Sequence, residues 1–86
     1  MINADALTNY IKQALPDAMV SVTDRTGTMD HLKVRVVSDL FRGKTLLDRH
    51  RMVYQALDAP MKDGRIHALE IKAETNDEAR ELIADG

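Results

Sequence analysis

A small α+β sandwich, with helices packed on one face of a three-stranded mixed sheet, is the fold class that three features of this 86-residue sequence predict. Apolar residues recur at helical spacing near the start of the chain and again at its centre. Apolar and polar residues alternate in three other stretches, as they do in half-buried strands. Glycine, proline and aspartate clusters separate these stretches and set the order α-β-β-α-β-α.

The first helix is carried by Leu7, Tyr10, Ile11, Ala14 and Leu15, which share one face. Asn3 or Asp5 suits its N-cap, and Pro16-Asp17 ends it, because a proline keeps the residue before it out of the helical region. Met19 to Thr23 then alternates as a strand. Asp24 to Asp30 is rich in turn formers and is expected to return the chain as a hairpin loop. The second strand is His31 to Ser38, with Leu32, Val34 and Val36 on one side and His31, Lys33 and Arg35 on the other.

Gly43 precedes a second helix that Thr45 can cap, with Leu46, His50, Val53 and Leu57 as its expected buried stripe. Pro60 and Gly64 are expected to unwind the chain between Asp58 and Gly64. Ile66 to Lys72 reads as the third strand. Thr75 and Glu78 have capping-box spacing, so a terminal helix should begin there. The helix between strands two and three favours a parallel pairing of those two strands.

No repeat, low-complexity stretch or linker interrupts the chain, so residues 1–86 are read as one domain. It contains no cysteine, hence no disulfide, no thiolate nucleophile and no thiolate metal ligand. The N-terminus lacks the basic start and apolar run of a secretory signal. No apolar stretch approaches the roughly 20 residues that span a bilayer. A soluble, cytoplasmic protein with no membrane partner is the expectation, with an organellar location after removal of a presequence as the other possibility.

Twelve Lys and Arg against fourteen Asp and Glu give a net charge of −2, which argues mildly against a dedicated nucleic-acid binder. The charge is uneven. Arg42, Lys44, Arg49 and Arg51 cluster around Asp48 alone, whereas the tail after Lys72 carries Glu74, Asp77, Glu78, Glu81 and Asp85 against Arg80. Arg49 and Arg51 are expected to reach solvent, as a basic contact patch or as a solvated face with an Asp48–Arg51 pair.

Motifs for catalysis are missing: there is no HExxH, GxSxG, Walker loop or GxGxxG, and no triad can be built on Ser21 or Ser38. The chain is read as a non-enzyme with no catalytic residues. Three histidines remain. His67 sits near the start of strand three, where it is either an edge histidine with one hydrogen bond, the reading the residues alone favour, or a surface ligand. His31 begins strand two at an ordinary exposed position. Parallel pairing of the two strands would bring His31 and His67 to one end of the sheet. Two imidazoles fall short of the three or four ligands of a zinc site, so any metal here needs ligands from a partner. His50 reads as a structural histidine.

The element order resembles the type II KH fold, whose GxxG loop clamps a nucleotide backbone. The equivalent turn here is Phe41-Arg42-Gly43-Lys44, with a single glycine, and only Tyr10, Phe41 and Tyr54 are available for stacking.

Several stretches together resemble the BolA family. They are Pro16-Asp17-Ala18, Val36-Val37-Ser38 leading to Phe41-x-Gly43, Leu47-x-Arg49-His50-Arg51-x-Val53, and Ile66-His67-Ala68-Leu69-x-Ile71-Lys72-x-x-Thr75. The resemblance runs from about Leu15 to Glu78, in order and with the family's spacing. It implies a KH-like fold and partnership with a monothiol CGFS-type glutaredoxin around a bridging [2Fe–2S] cluster. Sulfur ligands would then come from the glutaredoxin cysteine and from glutathione, and the histidine of the strand-three Ile-His-Ala motif, His67, would be this chain's ligand.

The family's second ligand lies in the loop between strands one and two, often as Cys or His. Asp24 to Asp30 contains neither, which leaves His31 as the candidate. Thr75-Asn76 stands where Thr-Pro is common. The resemblance also implies a monomer or weak homodimer that holds no cluster when alone. Its alternative implication is a DNA-binding regulator, with Arg42, Lys44, Arg49 and Arg51 as phosphate contacts; the same residues could instead meet an acidic glutaredoxin surface.

Overall fold

The computed structural model describes residues 2–24, 27 and 31–85, the last five as backbone only. Helix α1 spans Ala4–Ala14, and Asn3 caps it by accepting from the Ala6 amide at 2.8 Å. Leu7 and Ile11, one turn apart, are fully buried. Strands β1 (Met19–Asp24) and β2 (His31–Val37) pair antiparallel, Met19 opposite Val37 and Asp24 opposite Leu32. In the hairpin between them, Gly27 has φ +77° and donates to Asp24 Oδ1 at 3.1 Å; the rest of the expected loop, residues 25, 26 and 28–30, lies outside the described residues.

A 3-10 turn at Asp39–Phe41 and a positive-φ Gly43 lead into α2 (Leu46–Ala56). Thr45 caps that helix, its hydroxyl accepting from the Asp48 amide at 3.1 Å, and Asp48 in the first turn complements the helix dipole. Asp17 fastens the exit of β2 to the start of β1. One of its carboxylate oxygens accepts from the Ser38 hydroxyl at 2.6 Å and the other from the Asp39 amide at 2.9 Å.

Two stretches depart most from expectation. The stretch after Leu57 forms a short helix, α3 (Asp58–Lys62), instead of unwinding. Pro60 falls in its first turn, where a missing N–H breaks no intrahelical bond, and its ring is buried. Strand β3 spans Ala68–Glu74, not Ile66 to Lys72, so His67 precedes the strand. Helix α4 spans Asn76–Asp85 behind the expected capping box: Thr75 N donates to Glu78 Oε1 at 2.7 Å, and Glu78 N donates to Thr75 Oγ1 at 3.2 Å.

The sheet order is β1-β2-β3, and β3 runs parallel to β2 with His31 opposite Ala68 and Val37 opposite Glu74. The α+β class and the mixed three-stranded sheet are therefore as the sequence predicts. Leu32, Val34, Val36 and Ala73 form the covered face, and they close the core with Leu7, Ile11, Leu15, Phe41, Val53, Leu57 and Ile66. His31, Lys33 and Arg35 alternate with them on the other face of β2. No helix among the described residues is long and apolar enough to cross a membrane.

Candidate functional site

The residues singled out from the sequence divide between opposite ends of the sheet. At the start of β2 and β3 lie the two histidines. At the far end, the turn after β2, the start of α2 and the start of α4 gather the basic cluster.

Three local devices build the histidine end. Gly64, at φ +81°, turns the chain out of α3 in a conformation that disfavours any residue with a Cβ. Ile66 is 2% exposed and its amide donates to Pro60 O at 3.1 Å, so the chain is pinned by one apolar side chain and one backbone bond. Arg65 makes the third attachment. Its Nε donates to Asp63 Oδ2 at 2.8 Å, its Nη2 to Tyr10 Oη at 3.0 Å, and its guanidinium carbon lies 5.6 Å from the Tyr10 ring centroid. The hydrogen bond to Tyr10, and then the Asp63 carboxylate, raise the Arg65 pKa.

His67 follows as an exposed residue immediately before the strand, and His31 is exposed across the sheet. The register sets Ala68, not His67, directly opposite His31, and His67 stands one position before the paired residues of β3. An open groove of about 170 Å³ beside them is lined by His31, Leu32, Ala68, Leu69 and Glu70; His67 lies at its margin in sequence but does not line it.

The basic end is different in kind. Arg49 was expected on a solvent face and as a partner contact, but its residue is 8% exposed. Its Nε donates to Lys44 O at 3.0 Å; its Nη1 donates to Ala73 O at 3.2 Å and to Glu78 Oε1 at 2.7 Å. The guanidinium carbon also lies 6.0 Å from the Phe41 ring centroid.

The α2 stripe is correspondingly rotated. Arg49, Val53 and Leu57 are buried, His50 is half-buried, and Leu46 is 67% exposed, contrary to the expected Leu46-His50-Val53-Leu57 face. Burial of Arg49 is tolerated because its Nε and Nη1 find two carbonyls and a carboxylate.

Arg42 is exposed but doubly paired, with Asp39 at 3.2 Å and Asp77 at 3.1 Å. The hydrogen bond to Asp77 is the larger cause of its raised pKa. Arg51 reaches solvent as expected and pairs with Asp48 only at 3.8 Å. Lys44 is exposed. The acidic residues opposite respond: hydrogen bonds from Asn76, then the charge of Arg42, lower the Asp39 pKa. Hydrogen bonds from Arg49 and the Thr75 amide lower that of Glu78. The basic cluster and acidic tail seen in the sequence are thus, for Arg42 and Arg49, two halves of one internal network.

Sequence reasoning missed Tyr10, Asp63 and Arg65 at the histidine end. Tyr10 and Arg65 are separated by 55 positions and belong to no shared pattern. Only the Asp63-Gly64 turn ahead of the strand signalled that this segment was specially shaped.

Among the described residues, no group of three or more His, Cys, Asp or Glu is arranged to hold a metal ion. With no cysteine in the chain, its donor set amounts to one or two imidazoles at one sheet end. That set does not fit a cluster held by this chain alone. It fits a cluster to which another molecule brings the thiolates.

A family model described as BolA-like protein matches residues 11–78. An uncharacterized protein from the rpoN-murA intergenic region of Acinetobacter guillouiae is 36% identical over 85 residues, covering 99% of each chain. Among solved structures, a bolA protein homologue from Coxiella burnetii superposes with a TM-score of 0.79 at 33% identity, covering 93% of this chain and 99% of the other. The BolA domain of SufE1 from Arabidopsis thaliana gives a TM-score of 0.76 at 30% identity, covering 91% and 99%.

Proposed function

The chain belongs to the BolA family, and from that premise we propose that it is a non-enzymatic adaptor that binds a monothiol (CGFS) glutaredoxin and co-ligates a bridging [2Fe–2S] cluster in iron–sulfur trafficking or iron regulation. The observation that carries this reading is an exposed His67 held at the start of β3 in a chain without a single thiol. His67 is the first candidate ligand and His31 the second; glutathione and the glutaredoxin cysteine would complete the set. A BolA domain that forms part of a SufE1 protein supports an iron–sulfur context for the fold. When bound, a neutral imidazole in place of a thiolate leaves the shared cluster less negative and raises its reduction potential.

What this chain's own residues do is limited and specific. Ile66 anchors the backbone, Arg65 ties it to α1 and the end of α3, and His67 follows as an exposed residue at the sheet end.

Anaerobic reconstitution with a CGFS glutaredoxin and glutathione tests the proposal. The His67→Ala chain should alter the visible absorption and CD of the heterocomplex and shorten the cluster's lifetime by about tenfold or more. An unchanged spectrum with an unchanged lifetime would overturn the ligand role. His31→Ala should have an equal or smaller effect.

The DNA-binding reading draws on Arg42, Lys44, Arg49 and Arg51. Lys44 and Arg51 are accessible, Arg42 would have to leave two carboxylates, and Arg49 is enclosed. With a net charge of −2 as well, it is the weaker of the two.

A further inference from the structure

We infer that Arg65 is the positioning residue of the candidate site: by clamping Tyr10 and Asp63 it fixes the direction in which His67 leaves the fold. The inference deepens the histidine-ligand reading and rests on it for its function, but the clamp itself can be tested in the protein alone.

Between the end of α3 at Lys62 and the first residue of β3 at Ala68, the chain has no sheet or helix ladder to hold it. Gly64 contributes no side chain and a backbone with wide freedom. The segment is held instead by the Ile66 amide on Pro60 O and by three side-chain attachments. Asp63 Oδ1 accepts from the Arg65 amide at 3.1 Å, closing an Asx turn around Gly64. Asp63 Oδ2 and Tyr10 Oη hold the Arg65 guanidinium from two sides. Ile66 fills the core behind.

The first two attachments converge on one residue, through its amide in the first and its guanidinium in the second. Arg65 therefore joins α1, the end of α3 and the approach to β3, two residues before His67. Its fork has the geometry to engage both partners at once, which a lysine ammonium lacks.

A merely structural arginine would be measured by its loss of stability. A positioning one would be measured at His67. The informative variants are Arg65→Met, which keeps the aliphatic stem, Arg65→Lys, which keeps the charge, and Tyr10→Phe, which keeps the ring but removes one acceptor. In the unliganded protein, NMR relaxation of the amides at residues 64–67 and the ring signals of His67 report the direction and order of the segment. In the reconstituted heterocomplex, the cluster's lifetime reports the consequence.

Arg65→Met should loosen residues 64–67, shift the His67 ring signals and shorten the cluster's lifetime by about tenfold, the usual effect of removing an outer-shell support. Its far-UV CD should stay unchanged. Tyr10→Phe should do the same to a lesser degree, and Arg65→Lys should fail to restore order. If Arg65→Met does not fold, Tyr10→Phe carries the test.

Wild-type order and wild-type ring signals in both Arg65→Met and Tyr10→Phe would overturn the clamp. A loosened His67 in the unliganded variants combined with an unaffected cluster would instead sink the ligand reading and leave the clamp standing, so the two failures are distinct.

Discussion

The junction of α2 with α4 and the approach to β3 both present an arginine bonded to an acid and stacked on an aromatic ring, yet they serve opposite ends. At the junction Arg49 is drawn inward, with its Nε and Nη1 donating to two carbonyls and to Glu78 Oε1. Arg65 lies over the surface of Tyr10 and remains partly open, and the residue that follows Ile66 is turned out to solvent. The difference teaches that a charged motif is read by the destination of its side chain. An arginine whose donors end on backbone carbonyls holds the fold. One whose donors end on a turn and a neighbouring helix shapes what that turn displays.

If that distinction is right, the largest stability effect belongs to Arg49. Arg49→Ala removes the donors to the buried Ala73 carbonyl and the part-buried Lys44 carbonyl and a side chain packed on Phe41, so urea unfolding should show a loss of about 3 kcal/mol. A loss below about 1 kcal/mol would make the junction a surface feature and erase the contrast.

Acid should probe the same junction next. The pKa values of Glu78 and Asp39 are lowered in the folded chain, so the stability they lend is fully present above the ordinary carboxylate range and is lost as pH falls through their folded values. Thermal midpoints should hold from neutrality to about pH 5 and decline from about pH 4 downward. Glu78→Gln should begin lower and decline less steeply. An equal slope in that variant would mean that the junction's network does not govern acid sensitivity.

The smallest effect on folding should come from Arg51, whose ion pair spans 3.8 Å between exposed groups. Arg51→Ala should change unfolding free energy by less than about 0.5 kcal/mol. If duplex DNA binds at all, this variant should lower the salt slope by about one phosphate equivalent, since the side chain is accessible. An Arg51→Ala chain as unstable as Arg49→Ala would show that exposure is the wrong criterion.

Much of the site was legible because it rests on local rules. The caps at Asn3, Thr45 and Thr75, the alternation of β2 and the parallel pairing that brings His31 and His67 to one sheet end all follow from spacing within a few residues, or from a crossover. The misread elements fail for two different reasons. Hydrophobic spacing alone excludes an arginine from the α2 stripe, yet Arg49 belongs to it. Arg49 is buried only because Lys44 O, Ala73 O and Glu78, two of them more than 20 positions away, satisfy its donors. Helix α3 escapes the sequence pattern because Pro60 and Gly64 signal a break, whereas a proline in the first turn removes no intrahelical bond.

Sequence by itself determined the order of elements apart from α3, the mixed sheet, the caps and the family, because each is encoded in residues near one another or in a motif of fixed spacing. Tertiary structure decided which charges face inward and how the histidine is held. Those outcomes depend on whether a distant carbonyl or phenol lies within about 3 Å of a donor, a distance that no one-dimensional pattern records.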